Sequence, residues 1–207
     1  MIHGIDVSEL NGHLDDEWWD KAKEAGVRFV YVRCSYGNGH ADEKFLANVN
    51  AAHARGMLVG AYHYDYSLTA TGAATAAQKC AQIIADSGVL LELPVFYDLE
   101  DADHWKEENG YDFSGENTTA QVKAWMDNLG LNTGVYASYG WLEEKVADSA
   151  GNSRDGAPID WRALGCAVWN AEWNVTDDLQ GYVWQYTDSH PVLGCDADVM
   201  YDEELFK

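Results

Sequence analysis

Leu93-Pro94-Val95-Phe96-Tyr97-Asp98-Leu99-Glu100 has the form of a buried strand that ends in two carboxylates one residue apart. Its unbroken apolar run is the pattern of a strand covered on both faces, as in a parallel sheet. Residues two apart on a strand project the same way, so Asp98 and Glu100 share a side. Desolvation and mutual repulsion then raise the proton affinity of at least one of them. A carboxyl that keeps its proton near neutral pH is what general acid catalysis needs. The plainer alternative is an Asp98 that caps a loop beside a solvated Glu100.

Outward from this stretch, the first two thirds of the chain repeat one unit: a helical segment ends at a glycine and an apolar strand follows. The junctions are Gly26, Gly56, Gly88 and Gly130, where glycine supplies the left-handed conformation that closes a helix. Residues 29–32, 57–62 and 134–137 are the strands expected to be buried on both faces, and the alternation is that of a parallel sheet. The second helix carries Phe45, Leu46, Val49, Ala52 and His53 at helical spacing, with Asp42 as its expected N-cap. The third covers about residues 71–87 and is alanine-rich, the fourth covers about residues 118–129, and a shorter fifth follows Ser138.

Beyond Gly151 the pattern changes, and residues 165–169, 181–186 and 196–200 are strand-like with no long amphipathic helix between them. With a first strand at residues 2–7, the expectation is eight strands and five helices. That is an α/β fold, an irregular TIM-like barrel of the type (β/α)5(β)3. A regular eightfold barrel typically needs about 250 residues, and this chain is short of the last three outer helices. An open doubly wound sheet is the alternative. With 207 residues, 47% of them hydrophobic, and only three prolines, residues 1–207 are expected to form a single domain.

The formal net charge is -22, from 35 acidic and 13 basic residues. Such a molecule repels phosphate backbones and anionic membranes, so neither nucleic acid nor a membrane is expected as a partner. The apolar runs fall short of the roughly 20 residues of a membrane helix, and Met1-Ile2-His3-Gly4 leads into a strand without the features of an export signal. Cys34, Cys80, Cys166 and Cys195 show no C-x-x-C spacing. Four buried free thiols are expected, and Cys34 with Cys195 is the first candidate should one bridge form. Paired His or His/Cys ligands for zinc, a calcium-binding D-x-[DN]-x-[DN]-G loop, a G-x-S-x-G elbow and the glycine-rich phosphate loops are all missing. No metal or cofactor is expected.

In a barrel of parallel strands, function gathers at the carboxyl ends of the strands. There the sequence puts Asp6, Arg33 with Ser35, Tyr62 with His63 and Tyr64, Asp98 with Glu100, Tyr136 with Ser138, Trp169 with Asn170, Trp184 with Gln185 and Tyr186, and Asp196 with Asp198. Four or five carboxylates face one bowl, among aromatic rings that suit the apolar faces of sugars. Glycoside hydrolysis fits this set, since it needs one acid for the leaving oxygen and an anionic partner for the oxocarbenium-like centre. Two carboxyls on one strand lie closer than the roughly 6.5–9.5 Å of an inverting enzyme, which favours retention of configuration. His63 alternates to the face opposite Tyr62 and is expected to be structural.

Four segments carry a resemblance to the lysozymes of glycoside hydrolase family 25, the Chalaropsis-type muramidases that include phage endolysin catalytic domains. His3-Gly4-Ile5-Asp6-Val7-Ser8 is similar to that family's G-I-D-V-S start, and Gly60-Ala61-Tyr62-His63-Tyr64 to its G-x-Y-H-F/Y strand. Asp98-Leu99-Glu100 matches its D-x-E, and Cys195-Asp196-Ala197-Asp198 resembles its closing V-D-x-N or V-D-x-D. The resemblance implies a flattened barrel and hydrolysis of the β-1,4 bond between N-acetylmuramic acid and N-acetylglucosamine in bacterial peptidoglycan, with action on the cell wall; a monomer is expected. It implies Glu100 as general acid and base, and Asp98 as nucleophile or as the carboxylate that orients the substrate's acetamido group. Asp6 and Asp196 would be further acidic members of the catalytic set. Tyr62, Tyr64, Arg33, Tyr136, Trp169, Trp184, Gln185 and Asp198 would bind substrate. The second strand departs from the family's K-A-T/S-E-G, reading Arg33-Cys34-Ser35-Tyr36-Gly37. A chitin-type N-acetylglucosaminidase, a barrel that binds glycans without turnover and an acidic metal-binding domain are the alternatives. Lack of an export signal suits release from a phage or excision from a larger secreted protein.

Overall fold

The computed structural model describes residues 1–143 and 159–201. Its elements in chain order are β1 (Ile2–Val7), a 3-10 turn (Glu9–Asn11), α1 (Asp16–Glu24), β2 (Phe29–Tyr36), β3 (His40–Ala41), α2 (Phe45–Ala54), β4 (Leu58–Tyr64), α3 (Ala70–Ser87), β5 (Val95–Asp98) and α4 (Trp105–Glu108). They continue with α5 (Gly115–Leu129), β6 (Thr133–Ser138), α6 (Tyr139–Leu142), α7 (Trp161–Leu164), β7 (Ala167–Ala171), β8 (Val183–Thr187) and β9 (Asp196–Met200). Eight of the strands close into a barrel in the order β1-β9-β8-β7-β6-β5-β4-β2, which returns to β1 through a β1–β2 pairing. β3 is a two-residue strand added to the far end of β2.

The junction glycines behave as their sequence context requires: Gly26, Gly56, Gly88 and Gly130 have φ of 89°, 75°, 67° and 72°. Alternation along each strand then divides the core in two. Val30, Val32, Val59, Ala61, Val95, Tyr97 and Leu99 pack outward under the helices, whereas Phe29, Tyr31, Phe96, Tyr136, Trp169, Val183 and Met200 fill the barrel itself. Each such ring fully removed from water contributes roughly 2–3 kcal/mol. Room for these rings comes from glycine on the facing strands, since a Cβ at Gly4 would collide with Phe29 and one at Gly60 with Tyr31.

Several local expectations are corrected. Two one-turn helices, α4 and α7, join the five expected ones, and α5 begins at Gly115. Asp42 does not cap α2. The helix follows Lys44, and the Asp42 carboxylate binds the Arg33 side chain and the backbone N–H groups of Glu9 and Lys44. All four cysteines are free and buried, and the thiol that Cys34 faces is that of Cys80, at 3.3 Å, in place of Cys195. β9 runs antiparallel to both β1 and β8. Its start therefore shares a rim with the carboxyl ends of the parallel strands, with Asp196 opposite Asp6.

Candidate active site

At this rim opens a cleft of about 570 Å³. Ten of the residues singled out in the sequence line it: Asp6, Arg33, Tyr62, Tyr64, Asp98, Glu100, Tyr136, Trp169, Gln185 and Asp196. Two do not. Trp184 alternates with Val183 and Gln185, which take the inner face of β8, and its indole N–H donates to the Glu172 carbonyl at 2.7 Å. Asp198 lies one step deeper than Asp196, opposite Gly4, and is fully buried beneath the cleft.

The first carboxylate group stands at the end of β5. The ladder continues one residue past the strand, with Leu99 N–H donating to the Tyr136 carbonyl at 2.9 Å, and Leu99 is buried under the helices. Alternation therefore brings Asp98 and Glu100 to the cleft together. Asp98 is 4% exposed and its Oδ1 is buried without a hydrogen-bond partner. Burial pushes Glu100 up to about 7, while the positive charge of Lys106 opposes the rise and the charge of Asp196 adds to it. Burial also holds Asp98 well above the usual carboxylate range, with the Glu100 charge the next cause. That second cause disappears when Glu100 carries the proton, so a proton on Glu100 lowers the proton affinity of Asp98.

Lys106, absent from the sequence candidates, organises this end of the site. It is 1% exposed, and its ammonium donates to the Glu100 carbonyl at 3.0 Å and to the Asp65 carbonyl. The Asp65 carboxylate lies 3.7 Å away. A buried ammonium thus ties the loop after β5 to the loop after β4. Its helix is held in turn by Asp101, whose carboxylate accepts from the N–H groups of Lys106 and Glu107 at 2.7 and 3.0 Å. Asp101, His104 and Glu107 bring possible metal-ligating atoms within 4.8 Å of one another, but this capping accounts for the position of Asp101.

The second carboxylate group bridges β1 and β9. Asp6 stands opposite Asp196, which is two residues from Asp198 on the same strand, and the charges of both act on it. Gln185 Nε2 donates to Asp6 at 2.9 Å, while Gln185 Oε1 accepts from the Tyr136 hydroxyl at 3.0 Å and the Trp173 indole at 3.1 Å. Trp169 donates to Asp198 at 2.9 Å. Burial, followed by the charges of Asp198 and Asp196, holds Asp6 well above the usual range. Burial raises Asp196 to about 6.

Arg33 is committed to carboxylates, with Nε 2.9 Å from Asp42 and a terminal nitrogen 3.3 Å from Glu9, and its guanidinium lies over the Tyr36 ring. His63 is buried behind the rim, hydrogen-bonded to the Ser35 hydroxyl at 2.8 Å and stacked on Trp125. Burial lowers it to about 4. Tyr36, Tyr66, Glu9 and Asp103 also line the cleft and were not read from the sequence. The alternation of Tyr62 and Tyr64 continues through Tyr66, a signal that could have found it.

A family described as Glycosyl hydrolases family 25 matches residues 5–195. Lysozyme M1 of Streptomyces globisporus is 25% identical over 214 residues, spanning 96% of this chain and 66% of that protein. The N,O-diacetylmuramidase of Chalaropsis sp is 28% identical over 138 residues, spanning 65% of this chain and 63% of that protein. The fold matches that of the modular autolysin LytC from Streptococcus pneumoniae, solved in complex with a synthetic peptidoglycan ligand, at a TM-score of 0.78 and 23% identity over 97% of this chain and 46% of that one. The chain thus spans about two thirds or less of the length of each of these three relatives. With the family match running from Ile5 in β1 to Cys195, one residue before β9, almost the whole barrel is accounted for, and the chain belongs to the glycosyl hydrolases of family 25.

Proposed function

We propose that the chain is a muramidase that hydrolyses the β-1,4 bond between N-acetylmuramic acid and N-acetylglucosamine in bacterial peptidoglycan, acting with retention. The observation that carries this reading is the pair at the end of β5: a Glu100 pushed up to about 7 next to a more deeply buried Asp98, at an aromatic-lined cleft of a family 25 barrel. Glu100 gives its proton to the glycosidic oxygen as the bond from the anomeric carbon breaks. The ionised Asp98 either attacks that carbon or accepts the acetamido N–H while the acetamido oxygen attacks. Glu100, now a carboxylate, takes a proton from the water that completes hydrolysis, and the starting protonation is restored. Two displacements at one carbon return its original configuration. Tyr62, Tyr64, Tyr136 and Trp169 form the sugar-facing walls, and Asp6, Asp196 and Gln185 hold hydrogen bonds at the opposite rim.

The test is digestion of purified peptidoglycan, borohydride reduction and mass spectrometry of the new reducing ends. Reduced muramic acid is expected. Reduced glucosamine ends would overturn the assigned bond, and glycan bound without release would favour a binding barrel. Following the anomer first released by proton NMR tests retention.

A further inference from the structure

Beyond the rim formed by Tyr36 and Tyr66 lies a second cavity of about 590 Å³, between the β2–β3 hairpin, the start of α3 and α4. It shares both tyrosines with the cleft already described, so the two adjoin with these rings between them. Its volume falls within the roughly 300–1,000 Å³ of small-ligand sites. Aromatic faces dominate its chemistry. Tyr36 stacks on His40 with ring centres 5.4 Å apart, and Trp105 meets Tyr66 edge to face at 5.2 Å. The Tyr66 ring is fixed further by its hydroxyl, which donates to Asp103 at 2.6 Å. Ser67 and Thr75 supply hydroxyl groups on the side of α3.

Charge identifies the occupant. Six carboxylates line the cleft, namely Asp6, Glu9, Asp98, Glu100, Asp103 and Asp196, whereas no Asp, Glu, Lys or Arg lines the second cavity. Peptide stems of peptidoglycan end in free carboxylates, which a chain of net charge -22 disfavours where no Lys or Arg receives them. A neutral N-acetylated sugar has the opposite profile. Its ring presents C–H groups to aromatic faces, and its acetamido and hydroxyl groups suit Ser67 and Thr75.

We infer that the cavity bounded by Tyr36, His40, Tyr66 and Trp105 is a distal subsite that holds a neutral N-acetylated sugar of the same glycan strand, outside the pair of sugars at the scissile bond. This rests on the muramidase reading and adds a dependence on strand length. Ring stacking there stabilises long substrates and leaves short ones without that contact.

The test places a bulky ring in the cavity from the exposed face of α3, with Thr75→Trp. Peptide-free glycan strands of graded length, prepared with an amidase, serve as substrates. The ratio of kcat/KM for long strands to that for short oligosaccharides is expected to fall about tenfold. His40→Ala, which removes the ring behind Tyr36 on an exposed hairpin, is expected to lower the same ratio severalfold and guards against misfolding of the first variant. An unchanged ratio in both variants overturns the subsite. A loss seen on peptide-bearing strands but not on stripped ones also overturns it, in favour of a stem peptide. Binding of the stripped strands to Glu100→Gln with and without Thr75→Trp, read by tryptophan fluorescence, separates the two hypotheses. Weaker binding in the double variant supports the subsite even if the wild-type chain releases no muramic acid ends.

Discussion

The two carboxylate groups of the cleft are built from the same residue types, yet they are balanced in different ways. Asp98 and Glu100 are served by a buried ammonium, Lys106, which lowers the proton affinity of both against the effect of burial. Asp6 and Asp198 have hydrogen bonds from Gln185 and Trp169, and no cation figures among the influences on them or on Asp196. Beside the Lys106 charge, Glu100 is pushed up to about 7. Neutral donors, Gln185 and Trp169, hold the second group. One cleft thus holds carboxylates served by a buried cation beside carboxylates served by neutral donors.

The comparison breaks most directly at Glu100. Glu100→Gln keeps the shape and removes the transferable proton, and turnover of peptidoglycan is expected to fall by about a thousandfold or more, a loss at the upper end of what acid–base catalysis supplies. Retention of wild-type turnover would end the assignment of roles. Lys106→Met tests the cation. It leaves Asp65 buried without its partner, so unfolding in urea should show a loss of about 3–5 kcal/mol. In the folded fraction, the basic limb of the pH–rate profile, which reports Glu100 at about 7, should move upward. Asp196→Asn sharpens the comparison with the opposite sign. Removing a negative charge that raises Glu100 should shift that limb downward and reduce turnover at neutral pH only severalfold.

The smallest expected effect concerns stability. A carboxyl whose proton affinity is higher folded than unfolded makes the folded state bind more protons between the two values, so stability falls as pH rises through that window. The window is from 4.5 to about 7 for Glu100 and from 3.8 to about 6 for Asp196. Asp6, Asp98 and Asp198 act in the same direction. His63, lowered from 6.5 to about 4, has the opposite sign, and its contribution is lost as pH falls through that range. Five carboxyls outweigh one imidazole, and the melting temperature should be higher at about pH 5.5 than at about pH 8, by on the order of 5 °C. A melting temperature that instead rises from acid to pH 8 would mean the two groups are ionised and paired in ways this picture lacks.

Much of this molecule is legible in its sequence because its barrel obeys local rules. Glycines at the helix ends mark where strands begin, and continuous apolar runs mark strands covered on both sides. The D-x-E spacing puts two carboxyls on one face whatever the surroundings. Other features depend on partners distant in the chain. Lys106 sits in Trp105-Lys106-Glu107-Glu108 like any surface lysine, and only the packing of two loops reveals its burial. Trp184 and Gln185 are equally plausible wall residues in sequence, but the register with β7 and β9 turns Gln185 inward. The direction of β9 is invisible to a pattern of period two, which is the same read forwards or backwards. One-turn helices such as α4 and α7 are too short to show a helical period at all.

The reversal of β9 also brings the first and last described strands side by side, with Ile2 opposite Met200 at the pole away from the cleft. In sequence as in space, the barrel is nearly a ring. Joining its ends by a short linker and reopening the chain in a surface loop away from the rim should therefore give a circular permutant with the same cleft. Attachment to a bead or a carrier through that pole would leave the rim free to meet a polymer many times its own size.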